Sequence, residues 1–216
     1  MKKFKLIFVL DPKNNWIEEY IYKFKFNLNK RYNIFFTKSL KFSIRPDVVF
    51  LMGYTKKVSE KFLVDNPNTF LVHESDLPKD KGFAPVAYQV MRGKNKICMS
   101  LIKVSKYLDG GSIYKKKYFK LNGCELSPEI RKIQAMSKLN FIKNFLKKYP
   151  AVKFTKQKKG GNFNRRLKKE DSKLDINKSL KKLFNKLRIV DNNKYPAFFE
   201  YKNHTYYLKI TKRLND

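Results

Sequence analysis

The sequence is poor in several features that would point to common classes of protein. It has two cysteines, Cys98 and Cys124, and their spacing predicts neither a disulfide framework nor a cysteine metal site. It contains no apolar run of about 18 residues, so we expect no membrane span. The apolar run Lys5 to Leu10 ends at Asp11-Pro12 without a small-residue cleavage site, which predicts a buried strand and not a signal peptide. We therefore expect a cytoplasmic protein with reduced thiols.

Acidic residues are also scarce. The chain has 18 of them against 50 basic residues, and its formal net charge is +32. Such a charge is typical of nucleic-acid binding. However, 42 of the basic residues are Lys, only eight are Arg, and they are spread along the chain. This pattern favours biased composition on a solvated surface, so we expect no nucleic-acid partner. An attraction for anionic ligands, nucleotide-linked or polyglutamylated, stays open.

Periodicity predicts the fold. A chain of 216 residues holds one full domain and a small appendage. Over about the first 110 residues, strand-like runs such as Lys5 to Leu10 and Asp47 to Met52 alternate with helix-like segments. This order predicts an α/β fold with a Rossmann-like, mostly parallel sheet flanked by helices. No G-x-G-x-x-G follows the first strand, which argues against a dinucleotide site.

The second half of the chain predicts fewer elements. A long amphipathic helix is predicted over Pro128 to Lys148, with Ser127 as its cap. A basic, glycine-containing stretch follows and predicts a linker or loop. The end predicts a short C-terminal helix plus a β-hairpin extension. We therefore divide the chain into a main domain (1–150), a basic linker or loop (151–172) and a C-terminal helix and hairpin packed on the main domain (173–216).

One of only two histidines lies where a site is expected. His73 ends the apolar run Phe70 to Val72, and Asp109 precedes Gly110-Gly111. In open α/β sheets the site lies at the carboxyl ends of the strands. A histidine with a carboxylate partner suits a general base oriented by an acid. An ordinary loop histidine and a turn aspartate are the alternatives on pattern alone.

A longer signature surrounds both residues. The stretch His73 to Pro85 has the form H-x-S-x-L-P-x-x-x-G-x-x-P, and Leu108-Asp109-x-Gly111 continues it. It resembles the folate-dependent formyltransferases, the small sugar N-formyltransferases more closely than methionyl-tRNA formyltransferase. The tail, Glu170 to Asp175 and Leu187 to Phe199, is similar to the ending of the sugar branch. The resemblance implies formyl transfer from 10-formyltetrahydrofolate to the primary amine of a nucleotide-linked amino sugar, in a surface-polysaccharide or pseudaminic-acid-type pathway and without a metal.

The resemblance also implies catalytic roles, with one departure. The family uses Asn, His and Asp, and His73 and Asp109 match two of these positions. The Asn lies two residues before the His, where this chain has Leu71. Leucine cannot donate a hydrogen bond to a developing oxyanion, and losing such a donor costs about 10²–10³ in rate. Ser75 and a protonated His73 are the candidates to replace it.

Ligand contacts are carried over from the family with less support. For the folate we expect Met52, Gly53, Tyr54, Ser105, Tyr107 and Leu108. For the amino-sugar side we expect Trp16, Asp76, Lys79, Arg188, Asn192 and Tyr195. A core position is the alternative for Trp16, and packing of the tail on the main domain is the alternative for Arg188, Asn192 and Tyr195.

Two other functions stay open. Methionyl-tRNA formylation is favoured by the charge, but that family usually carries a C-terminal barrel for which this chain ends too soon. A non-catalytic RNA-binding protein is favoured by Leu71 and the charge, although conventional RNA-reading motifs are absent. Aromatic residues in the tail make a homodimer an expectation for either class.

Overall fold

The computed structural model describes residues 2–13, 16–28 and 30–213. The strands are β1 (Phe4–Leu10), β2 (Tyr32–Thr37), β3 (Val48–Met52), β4 (Thr69–His73), β5 (Lys81–Gly82), β6 (Lys96–Lys103), β7 (Ile113–Lys120), β8 (Phe163–Asn164), β9 (Ala197–Tyr201) and β10 (His204–Leu208). The helices are α1 (Glu18–Lys23), α2 (Glu60–Asp65), α3 (Pro85–Met91), α4 (Ser127–Lys148) and α5 (Leu180–Leu187), with a 3₁₀ turn at Lys169–Ser172.

The main sheet has six strands in the order β2-β1-β3-β4-β6-β7. The first four are mutually parallel, whereas β6 and β7 are each antiparallel to the strand before them in this order. This arrangement confirms the predicted α/β fold with a mostly parallel sheet. Met52 is the last residue of β3 and His73 is the last residue of β4. Both therefore lie at the carboxyl edge, where such sheets place their sites.

Continuous apolar strands make this sheet buried on both faces. In β1, Leu6, Phe8 and Leu10 pack into the larger core, and Ile7 and Val9 pack into a second cluster on the opposite face. Successive side chains of a strand point to opposite faces, so only an unbroken apolar run can fill both. Burial of this kind, at roughly 25 cal/mol per Å² of apolar surface, is the main stabilising contribution to the sheet.

The long helix covers the larger core, but its start differs from the prediction. The predicted cap, Ser127, is the first helical residue, and Leu126 precedes it. The Glu129 carboxylate accepts a hydrogen bond from the Leu126 N–H at 2.8 Å, which satisfies a backbone donor that the helix leaves free. Ser127 as the cap was therefore wrong because an acidic side chain within the first turn takes over this role. Phe141 and Phe145 are fully buried on the helix face that packs on the sheet.

The predicted C-terminal helix and hairpin are present as α5, β9 and β10. They have their own apolar cluster, which includes Leu183, Leu187 and Ala197. The hairpin exposes Tyr206 and Tyr207, which are the type of residue behind the expected homodimer; that homodimer stays a prediction. No helix in the described ranges is long and apolar enough to cross a membrane.

The basic segment 151–172 is attached to the main domain through backbone pairing. Strand β8 within it pairs in parallel with β5, and Thr155 forms an antiparallel bridge with Ile113. The division into three units stays a prediction. The middle unit nevertheless lies against the loop that follows His73, where its side chains complete the candidate site.

Candidate active site

The carboxyl end of β4 brings His73 and Asp109 together. The imidazole Nδ1 lies 3.6 Å from Asp109 Oδ1, and both residues are more than nine-tenths buried. The other ring nitrogen, Nε2, lies 2.8 Å from the backbone carbonyl oxygen of Asp80. Because a carbonyl oxygen only accepts hydrogen bonds, Nε2 is the donor of this pair. Nδ1 is therefore the nitrogen without a hydrogen in the neutral ring, and it faces the Asp109 carboxylate.

Loop contacts hold the Asp109 carboxylate and backbone. Oδ2 accepts a hydrogen bond from the Gly82 N–H at 2.8 Å, which leaves Oδ1 for the histidine. The Gln157 side chain donates to the carbonyl oxygens of Asp109 and Gly111, both at 2.7 Å. Asp109 itself has φ +49°, an uncommon backbone conformation for a residue other than glycine. These contacts keep the carboxylate pointed at His73.

Two glycines of the signature lie where the Cβ of any other residue would clash with a neighbouring backbone. Gly82 has φ +91°, and a Cβ there would lie 2.4 Å from the carbonyl oxygen of Asn164. A Cβ at Gly111 would lie 1.7 Å from the carbonyl oxygen of Lys103. Only glycine has no Cβ to clash in such places. The glycines therefore allow the loops around Asp109 to approach this closely.

Asp80 is the centre of a polar network behind the histidine. Its carboxylate accepts hydrogen bonds from Arg92 at 2.7 Å, Asn162 at 3.1 Å and Asn164 at 3.4 Å. Its backbone N–H donates to the Asn162 side-chain oxygen at 3.0 Å. Burial raises the pKa of the Asp80 carboxyl, but the hydrogen bonds from Asn162 and Arg92 outweigh burial, so the pKa is below its usual value. The network holds the carbonyl that contacts His73.

A buried ion pair lies next to His73 in the sequence. Glu74 Oε1 lies 2.5 Å from the Lys138 ammonium, and Gln134 donates to the same oxygen at 2.8 Å. Burial raises the pKa of Glu74, but the ammonium of Lys138 and the Gln134 hydrogen bond outweigh it and the net shift is downward. Gln89 donates to the Glu74 carbonyl oxygen at 2.7 Å. These contacts connect the residue after His73 to α3 and α4.

The residues considered for the oxyanion donor have other surroundings. The Ser75 hydroxyl is fully buried and donates to the carbonyl oxygen of Lys79 at 2.7 Å, which stabilises the turn after His73. Leu71 lies two residues before His73 and therefore on the same face of β4, where it packs against the second apolar cluster. The catalytic role of Ser75 stays a prediction, and in this geometry its hydrogen is already engaged.

The predicted folate residues lie in two segments, the end of β3 and the loop before Asp109. Met52 is buried at the end of β3, Gly53 follows with φ +61°, and Tyr54 packs at the second cluster. Ser105 accepts a hydrogen bond from the Tyr107 N–H at 3.3 Å within the loop before Asp109. Tyr107 and Leu108 are exposed and line a cavity of about 390 Å³, together with Lys81, Gly110, Gln157, Lys158, Lys159, Gly160 and Phe163. Their roles as folate contacts stay predictions.

The predicted amino-sugar residues near the site loop are Trp16, Asp76 and Lys79. Trp16 is half-buried against the larger core, with the Lys138 ammonium 5.9 Å from its ring centroid. Asp76 forms an ion pair with Lys116, and the Lys79 side chain is exposed. Asp76 and Lys79 are thus open to a ligand at the rim of the turn after His73.

The other three lie in the C-terminal unit. Arg188 is almost completely buried and donates to Glu125 Oε2 at 3.0 Å and to Asn95 Oδ1 at 3.1 Å. Asn192 exchanges two hydrogen bonds with the backbone of Ile210. Tyr195 is exposed. Arg188 and Asn192 therefore make the contacts of residues that attach the tail, and substrate binding by these three stays a prediction.

Several side chains of the site were absent from the sequence-based prediction. These are Asp80, Arg92, Gln157, Asn162 and Asn164. The sequence signature included Gly82 but indicated none of these side chains. Within the described ranges, no group of three or more His, Cys, Asp or Glu side chains could hold a metal ion.

Comparison with known proteins identifies the family. A family model described as Formyl transferase matches residues 13–131. The chain is 26% identical over 147 residues to methionyl-tRNA formyltransferase of Fervidobacterium nodosum, an alignment that covers 68% of this chain and 47% of that protein. The chain thus spans about half the length of the curated relatives it matches.

Two solved structures share the fold over nearly the whole chain. Methionyl-tRNA formyltransferase from Clostridium thermocellum has a TM-score of 0.80 at 23% identity, covering 98% of this chain and 94% of that one. A 4-N formyltransferase from Francisella tularensis has a TM-score of 0.75 at 12% identity, covering 98% and 99%. The stretch matched by the family model includes both His73 and Asp109 and more than half of the chain, and the protein is therefore a member of the formyl transferase family.

Proposed function

We propose that this protein is an N-formyltransferase that moves the formyl group of 10-formyltetrahydrofolate to a primary amine. The observation that carries the proposal is the buried His73–Asp109 pair at the carboxyl end of β4, with Nδ1 3.6 Å from Asp109 Oδ1. Family membership supports the reaction class. The cavity beside Asp109 supports a folate donor, because Tyr107 and Phe163 offer aromatic surface to a planar ligand.

The reaction requires a proton to leave the attacking amine. As the amine nitrogen bonds to the formyl carbon, the bond from that carbon to N10 of the donor breaks, and N10 leaves as an amine that has gained a proton. The His73–Asp109 pair accepts the proton of the attacking amine and returns it to the leaving nitrogen. Asp109 orients the ring and balances the positive charge while His73 is protonated. A positioned acid–base group of this kind contributes about 10²–10⁴ in rate.

We further propose a nucleotide-linked amino sugar as the acceptor. The signature and tail resemble the sugar branch. The 4-N formyltransferase and the methionyl-tRNA formyltransferase structures both share the fold over nearly all of each chain, so the proposal rests on the signature and the tail. Methionyl-tRNA is the second candidate. It is favoured by curated relatives that are methionyl-tRNA formyltransferases, such as those of Fervidobacterium nodosum and Thermosipho melanesiensis, and by the net charge of +32.

One assay with two acceptors tests the reaction and the acceptor together. The purified protein is incubated with 10-formyltetrahydrofolate and, separately, with a panel of nucleotide 4-amino sugars or with methionyl-tRNA. Release of tetrahydrofolate and the mass of the acceptor are followed. We expect formylation of a sugar nucleotide that is lost in His73→Asn. Formylation of methionyl-tRNA and of no sugar nucleotide would show that methionyl-tRNA is the acceptor. No transfer to either, with no binding of tetrahydrofolate, would overturn the reaction.

A further inference from the structure

The cavity beside Asp109 has an unusual charge for its size. Its lining residues, named above, include three lysines and no acidic side chain. Three of the lining residues connect it to the dyad: Gly110 follows Asp109, Lys81 precedes the glycine that donates to Asp109, and Gln157 donates to the Asp109 carbonyl oxygen. The cavity therefore adjoins the loop that carries Asp109.

The three lysines have no carboxylate partner in the described part of the chain. Lys81, Lys158 and Lys159 form no ion pair there, as is the case for most lysines of this chain, so their ammonium groups are available to a ligand. The Lys81 ammonium lies 3.5 Å from the carbonyl oxygen of Gly160. Ammonium groups around one concave surface raise the local positive potential and attract an anion. The cavity is therefore suited to a ligand with more than one negative charge.

The remaining lining supplies apolar surface and a free acceptor. Tyr107 and Phe163 are 67% and 63% exposed, so both rings have surface that a ligand can cover. The Gln157 Nε2 is engaged by two carbonyl oxygens, but its Oε1 is buried and has no hydrogen-bond partner among the described residues. A buried acceptor without a partner costs free energy until a donor reaches it. Aromatic rings, an acceptor and three cations thus surround one space.

We propose that this cavity binds the poly-γ-glutamyl tail of the folate donor, so that the enzyme selects polyglutamylated donors. The proposal rests on the folate-dependent function proposed above. The aminobenzoyl ring of the donor packs against Tyr107 and Phe163. The carboxylates of successive glutamates then meet Lys81, Lys158 and Lys159. A nucleic acid would instead require a charged surface that extends along its backbone, and a cavity of about 390 Å³ is too small for that.

The test measures binding and does not require turnover. Tetrahydrofolate carrying one glutamate, tetrahydrofolate carrying five and a nucleoside diphosphate are each titrated by calorimetry against four proteins. These are the wild type, Lys158→Ala/Lys159→Ala, Lys158→Arg/Lys159→Arg and Lys147→Ala/Lys148→Ala. The last is a matched control, because it removes two adjacent exposed lysines from the end of α4.

We expect the pentaglutamate to bind the wild type about tenfold more tightly than the monoglutamate, the size expected for a few exposed ion pairs. The alanine pair at 158 and 159 should bind both forms equally, at the monoglutamate affinity of the wild type. The arginine pair and the control at 147 and 148 should keep the difference.

Four outcomes would contradict the proposal in distinguishable ways. Equal affinity for both forms in the wild type overturns the tail site while the folate function stands. If Lys147→Ala/Lys148→Ala also loses the difference in affinity between the two folates, that difference is due to the overall positive charge of the protein. If Lys158→Ala/Lys159→Ala weakens the binding of a nucleoside diphosphate but not that of the pentaglutamate, the cavity binds the acceptor and not the folate tail. If neither folate binds the wild type, the proposed function itself fails.

Discussion

The Nε2 atom of His73 lies 2.8 Å from the backbone carbonyl oxygen of Asp80, seven residues later in the chain. This contact determines which ring nitrogen carries the proton in the neutral histidine and which faces Asp109. The Asp80 carbonyl is held in turn by Arg92 and Asn162, which bind the carboxylate of the same residue. The tautomer of the proposed catalytic histidine thus depends on a loop and on a segment beyond α4.

Substitution of the dyad tests its role directly. We expect His73→Asn and Asp109→Asn each to lower turnover at least about a hundredfold, because proton transfer by a positioned acid–base pair contributes about 10²–10⁴. Initial rates of tetrahydrofolate release at saturating donor measure this, and thermal unfolding checks that the fold is intact. His204→Asn is the matched control, since His204 is exposed on the hairpin. Near-full activity in either dyad variant would show that the assigned roles are wrong.

Gln157 is expected to act as a positioning residue for Asp109. Gln157→Ala removes two hydrogen bonds, to Asp109 and to Gly111, and we expect kcat to fall about tenfold with little change in the KM of the acceptor. Gln157→Glu should lower kcat further, because its carboxylate would face two carbonyl oxygens. Lys156→Ala, the exposed neighbour, should have no effect. An acceptor KM that rises while kcat is unchanged would assign Gln157 to substrate binding instead.

Leu71→Asn tests whether an oxyanion donor is missing. The Ser75 hydroxyl is engaged by the Lys79 carbonyl, and Leu71 is on the His73 face of β4. We expect the new amide to raise kcat at least about tenfold, within the 10²–10³ that such a donor can contribute. Leu71→Ala separates the amide from the loss of bulk and should give no gain. An unchanged rate in Leu71→Asn would mean that another group already supplies the donor.

Asp80 gives a pH dependence of stability with a definite sign. Its pKa is lowered by folding, so its contribution is complete above the usual aspartate value of 3.8 and is lost as the pH falls through the lower folded value. We expect the difference in unfolding free energy between wild type and Asp80→Asn to be constant above about pH 5 and to shrink below pH 4. Urea titrations from pH 3 to 7 measure it. A difference that grows on acidification would contradict this assignment.

Glu74 and Lys138 form the buried pair with the greatest expected effect on stability. Lys138→Met leaves a buried carboxylate without its cation, and we expect a loss of about 3–5 kcal/mol in unfolding free energy. The double variant Glu74→Gln/Lys138→Met removes both charges and should lose much less. Urea unfolding followed by the fluorescence of Trp16, the only tryptophan, measures both. Equal losses in the two variants would show that the charge pairing is unimportant.

Local patterns were enough to predict the α/β fold of the main domain. The apolar runs Lys5 to Leu10 and Asp47 to Met52 correspond to β1 and β3. Such patterns depend on residues close together in the sequence, which is why a single chain reveals them. The cap of α4 was missed because Ser127 and Glu129 are both acceptable signals, and only the backbone geometry distinguishes them.

The sequence by itself determined the α/β fold, and its signature indicated His73 and Asp109 as a pair. Only the tertiary structure decided what holds them. Gln157 lies 48 residues from Asp109 and Asn162 lies 82 residues from Asp80, in a basic segment whose composition is that of a loop. Periodicity and propensity describe neighbours along the chain. Contacts between distant polar side chains depend on how loops pack. A hydrogen bond requires a partner within about 3 Å in space, and no local sequence pattern specifies that distance.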